Sequence, residues 1–573
     1  MKQRQAALLF CYPPETPEMS PLDTAPVISP SEPKGVVYTK EWVVNLLLDL
    51  AGYVSTANLI DSVAVEPSAG HGAFLGPMIR RLLEACKNYG RTIMECEGSI
   101  IAYELDESSA SRTRDFAREL LEKEGVSPQE AGTLASRWIK CADYLFEDWS
   151  LRADFVIGNP PYVRLEDMPE RAAASYRQAY GTMRGRADLY VAFFEAALRQ
   201  LKQGGVCAFI CADRWTRNQY GAELRRLITT GYSVEFLVEM HEASPFQDDV
   251  DAYPAITVIR RRPQSKAVVA NANPDVSCME PGRISNSLLA LAASGRSNSL
   301  NGIRAAVVES WFKGADPWPC RTPAQLALLR RLEDGFLPLE SEATHTRVGI
   351  GVATGNDEVF ITRNAENVEA SRLLKLALVQ DLRDGTLRWS GHYLIDPWDN
   401  NGLVNLEDFP KLAAYFEAHA GPIKKRNIAC KNRGAWFRTI DRVYHELTVK
   451  SKLYIPDIKN ELSPVLDRGE TYPHHNLYFV QSDLWDLEVL GGFLLSDVAQ
   501  FFIESYGVRM RGGYLRFQAQ YLRRIRVPGI AQISVVEARE LREAFRLRER
   551  ARATRVALEL YGITPEEMEQ AFA

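Results

Sequence analysis

The sequence contains no Cys-x-x-Cys pair, no run of the ~20 apolar residues that a membrane helix needs, and no excess of positive charge. Each absence removes a class of protein. Nine cysteines are scattered singly, with Cys86 and Cys96 standing apart and Cys207 and Cys211 expected on one strand or its edge. That usage excludes a paired-cysteine zinc site and fits a reduced, cytoplasmic protein. The opening Met1-Lys2-Gln3-Arg4-Gln5 leads only into Ala6 to Cys11, too short an apolar core for a signal peptide, and no membrane partner is expected. A formal net charge of -6 means that any polyanion site must be a local basic patch. No internal repeat is present, and no Pro-Asp is followed at useful spacing by an acid-x-Lys, so a fused nuclease is not expected. The lone Pro319-Cys320 pair lacks a partner acid motif, which argues against cytosine C5 chemistry through a cysteine nucleophile.

What is present is a chain of 573 residues with 46% hydrophobic content, too long for one core and apolar enough to fold as two to four domains. Residues 1–33 are proline-rich and read as a flexible arm. Order is expected from Lys34, with Thr39 as a cap for a helix whose apolar positions Trp42, Val43, Leu46, Leu47 and Leu50 recur at helical spacing. From Ser62 onward, strand and helix signals alternate. Strands are expected at 62–65, 99–103, 138–141, 155–157, 206–210, 235–239 and 255–259, with intervening helices from the glycine turn to about Cys86, through Glu122, and from Asp188 to Leu201. Such alternation gives an α/β fold with a mostly parallel sheet and helices on both faces. Functional residues then belong at the carboxyl ends of the strands. Over 34–264 this is one domain, over 265–320 a Gly/Ser/Asn-rich linker, over 321–530 a second domain of mixed elements, and over 531–573 a helical tail.

The stretch Asp154-Phe155-Val156-Ile157-Gly158-Asn159-Pro160-Pro161-Tyr162 carries the clearest chemistry. Two prolines remove two backbone donors and force a stiff exit from the strand, so the Asn159 amide and the Pro160 carbonyl stand as fixed acceptors beside the face of Tyr162. That grouping suits a planar substrate bearing an amino group: adenine, cytosine, guanine or a glutamine amide. Upstream, Glu66-Pro67-Ser68-Ala69-Gly70-His71-Gly72-Ala73-Phe74 is a glycine turn between a strand and a helix. Glu66 would repel a phosphate there and pair with a cation, which S-adenosylmethionine carries and a dinucleotide does not. Glu104 and Asp143 end the next two strands, suited to accept from ribose hydroxyls and from an adenine amino group.

Taken together with Gly35-x-x-Tyr38-Thr39, Ala187-Asp188-Leu189-Tyr190, Lys202-Gln203-Gly204-Gly205 and Ser244-Pro245-Phe246, these motifs resemble the N6-adenine DNA methyltransferases of the gamma motif order. Fainter echoes of the type II family recognition domain lie at Gly349 to Asn356 and Arg511-Gly512-Gly513. The resemblance implies a doubly wound, seven-stranded Rossmann-like methyltransferase sheet followed by a mixed α+β DNA-recognition domain. It implies catalysis by Asn159, Pro160, Pro161 and Tyr162, with Phe246 and Tyr162 sandwiching a flipped adenine. It implies S-adenosylmethionine contacts at Tyr38, Thr39, Glu66, Ser68, Ala69, Gly70, Gly72, Phe74, Glu104, Leu105, Asp143, Tyr144 and Asn159. Lys40 replaces the proline that often follows Tyr-Thr in the family. Double-stranded DNA is the implied substrate, a separate cognate restriction endonuclease an implied partner, and a monomer on DNA the implied state.

The second domain supplies the local basic patches that the net charge demands. Residues 421–460 hold ten Lys or Arg against three acids, and 505–526 hold six Arg and no acid, interleaved with Trp436, Tyr444, Tyr506 and Tyr514. Lys424, Lys425, Arg426, Arg433, Arg509, Arg511 and Arg516 are the expected DNA contacts. Two other functions share the Asn-Pro-Pro-Tyr signal. One is methylation of RNA guanine N2 or of a protein glutamine, and the other is a catalytically silent DNA-recognition subunit.

Overall fold

A computed structural model describes residues 38–147, 150–247, 253–278, 281–295, 302–309, 311–319, 323–507 and 514–572. The expected arm over 1–33, Gly35, Cys320, Arg509, Arg511, Gly512 and Gly513 lie outside the described residues. The described residues within Met1–Ser265 and Ala272–Leu289 form one compact unit, and those within Lys266–Asn271 and Ala290–Ala573 a second.

In the first unit the strands are β1 (Ala64–Glu66), β2 (Ile100–Glu104), β3 (Ile139–Cys141), β4 (Ala153–Gly158), β5 (Leu201–Ala212), β6 (Ser233–Glu239) and β7 (Pro254–Arg260). They run in the order β3-β2-β1-β4-β5-β7-β6. β1 pairs in parallel with β2 and β4, β2 with β3 and β4 with β5, while β7 is antiparallel to both β5 and β6. Strand order reverses between β1 and β4, so a crevice opens at their carboxyl ends. Two further strands, β8 (Ala267–Ala272) and β9 (Ile303–Val308), arise with the helix Pro281–Ser294 from the stretch expected to be a linker. The short apolar run Ala267-Val268-Val269-Ala270 is buried along its whole length, and in the sequence the polar clusters around it hide its strand character.

Local sequence explains the strands and helices that carry the crevice. β1 is buried along its whole length, which suits a central strand covered on both faces. The helix Glu41–Ala51 buries Val43, Val44, Leu46, Leu47, Leu48 and Leu50 at 0–2% exposure. Its cap residue is Lys40, without a side-chain cap, rather than the expected Thr39. The helix Tyr190–Gln200 is buried almost all round, and β5 begins at the next residue without a loop. Cys86 and Cys96, expected apart, are free thiols with their sulfurs 3.4 Å from each other.

The second unit is built on a four-stranded antiparallel sheet, Thr346–Ile350, Leu477–Ser482, Lys452–Pro456 and Val465–Asp467 in spatial order. Alternate residues enter two separate apolar clusters. Val348, Leu453, Ile455, Tyr478 and Val480 belong to one, Tyr454, Leu477 and Phe479 to the other. This period of two means that both faces are covered. The C-terminal helices Val535–Leu547, Arg550–Tyr561 and Pro565–Phe572 are helical as expected, yet they are no detached tail. Leu541, Phe545, Val556, Ala557, Tyr561 and Met568 all enter the first cluster. Close approach is possible because the facing helix Leu487–Leu495 carries Gly491 and Gly492. A Cβ on Gly492 would lie 2.5 Å from the Leu541 carbonyl oxygen. Gly492→Ala is therefore expected to lower unfolding stability by about 1–3 kcal/mol through overpacking. Urea unfolding checks this, and an unchanged midpoint would remove the tail from the core.

Candidate active site

β1 ends at Glu66, and the chain turns back through Ser68 to Phe74 into the helix Leu75–Tyr89. Gly70 at φ +51° and Gly72 at φ +82° take left-handed conformations that side chains resist. At Gly72 there is also no room, because a Cβ would meet the Phe116 ring at 2.9 Å. Around Gly70 nothing would lie within 4 Å of a Cβ, so the turn is open on that side. The turn is held by Ala69 N–H on the Tyr103 carbonyl at 2.8 Å, by Thr113 Oγ1 on the Gly70 carbonyl at 2.6 Å, and by Ser68 Oγ on the Asn159 carbonyl at 3.0 Å. Ala69 and Phe74 are buried, and Tyr38 donates or accepts at His71 Nε2, 3.2 Å away.

Glu66 itself is 1% exposed, and its Oε2 is buried with no hydrogen-bond partner among the described residues. Burial first, then the neighbouring Glu104 carboxylate, holds its carboxyl well above the usual range. A buried carboxyl without a partner is costly when ionised, and an entering cation would restore the charge. This orphaned oxygen beside an open glycine turn fits the ammonium-bearing cofactor expected there, and does not fit a phosphate.

The next two strand ends are more committed than expected. Glu104 accepts from Gly70 N–H at 2.9 Å and from Asp106 N–H at 3.0 Å, which ties the end of β2 to the glycine turn. Leu105 beside it is exposed. Asp143 accepts from the Leu145 amide at 3.0 Å and the Tyr176 hydroxyl at 2.7 Å, and caps the short helical turn Tyr144–Phe146. Burial lifts its carboxyl above the ordinary range against both hydrogen bonds. Tyr144 departs from expectation. It is 1% exposed, donates to Gln200 Oε1 at 3.0 Å, and stacks on Phe193 at 5.8 Å, so its ring belongs to the core and not to a ligand.

At the end of β4, Asn159 Nδ2 donates to Thr39 Oγ1 at 3.2 Å. Thr39 is free for this because it does not cap the helix. Its backbone instead bridges antiparallel to Phe246, with Lys40 N–H on the Pro245 carbonyl and Gln247 N–H on the Tyr38 carbonyl, both 2.9 Å. Lys40 Nζ reaches Ser244 Oγ at 3.0 Å, so the side chain in the proline's place fastens the same crossing. Segments some two hundred residues apart are thus brought around Asn159-Pro160-Pro161-Tyr162. Pro160 is buried and Pro161 half-buried. Tyr162 and Phe246 meet edge to face, centroids 6.0 Å apart and planes at 80°. The expected sandwich is therefore not preformed, since stacking on both faces of a base needs two parallel rings with a gap between them. Burial pushes the Tyr162 hydroxyl up, and that hydroxyl has no partner among the described residues.

The basic residues of the second unit divide. Arg426 donates to the carbonyls of Ile423, Thr354, Trp436 and Arg438 and lies over the Phe360 ring. Its donors are satisfied inside the fold, which corrects the expectation of a DNA contact. Arg516 is paired with the Asp457 carboxylate. Lys424 sits 4.3 Å over Trp436 and 3.6 Å from Glu417. Lys425 and Arg433 are exposed.

The family model for the Eco57I restriction-modification methylase matches residues 91–246, a span that starts after the glycine turn and ends on Phe246. Over 543 residues the chain is 42% identical to type II methyltransferase M.XhoI of Xanthomonas vasicola, covering 93% of this chain and 98% of that protein. The chain belongs to the type II restriction-modification methyltransferases. Type II methyltransferase M.PaeR7I of Pseudomonas aeruginosa is 41% identical over 541 residues, covering 94% of this methyltransferase and 93% of the relative. The structure of the type IIL restriction-modification enzyme MmeI in complex with DNA shares the fold at a TM-score of 0.56 and 14% identity, over 93% of this chain and 72% of that one. No described helix is long and apolar enough to cross a membrane.

Sequence reasoning missed the supports of this methyltransferase's site: Tyr176 on Asp143, Thr113 on the Gly70 carbonyl, and Phe116 against Gly72. All three come from helices that pack onto the strand ends, and no local motif marks them. Glu66 gives a test with a definite sign. Its folded carboxyl binds a proton more tightly than the unfolded one, so its contribution to stability is present at acid pH. That contribution is lost as pH rises from the ordinary carboxylate range to the raised value. Glu66→Gln is expected to raise the thermal midpoint of the ligand-free protein at pH 8 while leaving it nearly unchanged at pH 4. A midpoint that falls at pH 8 would show that Glu66 is already paired.

Proposed function

We propose that this methyltransferase is a site-specific DNA adenine N6-methyltransferase that uses S-adenosylmethionine and marks duplex DNA beside a separate restriction nuclease. The observation that carries the reading is the juxtaposition, at adjacent strand ends, of the orphaned Glu66 carboxyl and the Thr39-oriented Asn159 amide. When bound, S-adenosylmethionine supplies an electrophilic methyl group. Glu66 would hold its ammonium, the Gly70 turn would lie against it, and Leu105 and Asp143 would border its adenosine.

The protein's own contribution is position and polarity. Adenine N6 is a poor nucleophile because its lone pair is delocalised into the ring. With its Nδ2 engaged by Thr39, Asn159 presents Oδ1 as the acceptor for one N6 hydrogen, and the Pro160 carbonyl accepts the other. Two acceptors favour the pyramidal nitrogen, whose lone pair is then localised and able to attack. Pro160 and Pro161 stiffen the turn that carries these acceptors and add no backbone donors of their own. A target base must leave the duplex at a cost of a few kcal/mol. Tyr162 and Phe246 would offset part of that cost by exchanging their edge-to-face contact for stacking on the base. As the new N–C bond forms, the methyl group's bond to sulfur would break with its electron pair left on sulfur, and the extra proton on the methylated nitrogen passes to water.

Asn159→Ala is expected to cut methyl transfer about a hundredfold or more, by analogy with loss of one preorganised polar contact, while cofactor affinity by calorimetry changes little. Labelled methyl donor offered with duplex DNA, ribosomal RNA and release factor separately should mark DNA alone. Nucleoside mass spectrometry should then show N6-methyladenine. Retained turnover in the variant would refute the mechanism, and N4-methylcytosine as product would refute the base assignment.

A further inference from the structure

The second unit contains a hollow of 530 Å³, bordered by Arg347, Gly349, Arg442, Tyr444, Lys450 and Gln481 among others. Its floor is the sheet edge where the strands Thr346–Ile350 and Leu477–Ser482 pair antiparallel, Arg347 directly opposite Gln481 and Gly349 opposite Phe479. A Cβ on Gly349 would fall 2.2 Å from the Phe479 ring, so only glycine permits this ring to lie against the backbone beside Arg347. The result is a shallow floor from which Arg347 projects, with the Gln481 amide nitrogen buried at its base.

Those two side chains are not used by the fold. The guanidinium of Arg347 is exposed and makes neither hydrogen bond nor ion pair with any described residue. Gln481 Nε2 is buried with no hydrogen-bond partner among the described residues, an arrangement that destabilises the protein unless a ligand supplies an acceptor. The acids at the rim are partly engaged, Asp441 by the Ala353 amide at 2.9 Å and Asp483 by Lys450 at 3.6 Å, while Glu446 is exposed. Arg442 and Tyr444 also border the hollow, the guanidinium 5.7 Å from the ring centre and donating to the Asn400 carbonyl at 2.8 Å.

We propose that Arg347 and Gln481 are a base-reading pair whose ligand is the major-groove edge of duplex DNA. This rests on the reading of duplex DNA as the substrate. Arg347 would donate twice to guanine, at O6 and N7. Gln481 would donate to adenine N7 and accept from its N6 amino group. A phosphate would serve Arg347 but not Gln481, which is uncharged and carries both a donor and an acceptor. Directly opposite residues of an antiparallel pair stand about 5 Å apart, close to the ~3.4 Å step between bases along a strand. The two therefore address neighbouring base pairs. Gly349 leaves the approach clear, and Arg442, Lys450 and Tyr444 flank it where the DNA backbone would run.

The test measures methylation rates on duplexes in which each base pair of the wild-type target, and of its flanks, is replaced one at a time. Wild type, Arg347→Ala, Arg347→Lys and Gln481→Ala are compared at one salt concentration. Both Arg347 variants should lose discrimination at a single G·C pair by roughly ten- to a hundredfold, because lysine keeps the charge but not the paired donors. Gln481→Ala should lose it at the adjacent A·T pair. Rates lowered equally on every duplex, with all preferences kept, would overturn the proposal and leave a structural role. If wild type instead methylates no duplex at all, the reading of DNA as substrate fails, a result that the variants' patterns cannot mimic.

Discussion

The structure of the first unit turns on the parallel pairing of β1 with β4. These strands are ninety residues apart in sequence, and their pairing sets Glu66 and Asn159 at neighbouring carboxyl ends. Ser68 Oγ on the Asn159 carbonyl closes the link, and Pro67 sits against Gly158, where a Cβ would lie 3.2 Å from the proline ring. A larger residue at 158 would push the two loops apart. The cofactor-side carboxyl and the amino-group acceptor would then no longer share one crevice.

A second tie brings the ends of the domain to that crevice. The bridge between Thr39 and Phe246 joins the segment before the first strand to the segment before β7, and Thr39 Oγ1 reaches from it to Asn159. The orientation of one amide therefore depends on a contact that no local sequence pattern encodes. The same is true of the energetic tension at Glu66. Its burial destabilises the ionised ligand-free site, a cost that a proton relieves in the empty site and that an entering cation would relieve in the proton's place.

The second unit shows the complementary economy of arginine. Arg426, inside a basic run of the sequence, is consumed by four backbone carbonyls, whereas the guanidinium of Arg347, outside those runs, makes neither hydrogen bond nor ion pair with any described residue. Charge density along a chain counts guanidinium groups. It does not say which of them the fold will use, because the acceptors that use them lie far away in sequence.

The sequence by itself determined the alternation of strands and helices, the placing of Glu66, Glu104, Asp143 and Asn159 at strand ends, and the rigid acceptor turn at Asn159-Pro160-Pro161-Tyr162. These are local properties: hydrophobic period, glycine conformations and the missing donors of two prolines. Only the tertiary structure decided that Thr39 orients Asn159 instead of capping a helix, that Tyr144 is core, and that Tyr162 and Phe246 meet edge to face. It alone showed that the stretch expected as a linker contributes strands and that the C-terminal helices complete a core. Each of those depends on a partner distant in the chain. Hydrogen bonds and packing are settled by which surfaces fold together, and a linear pattern carries no distance between them.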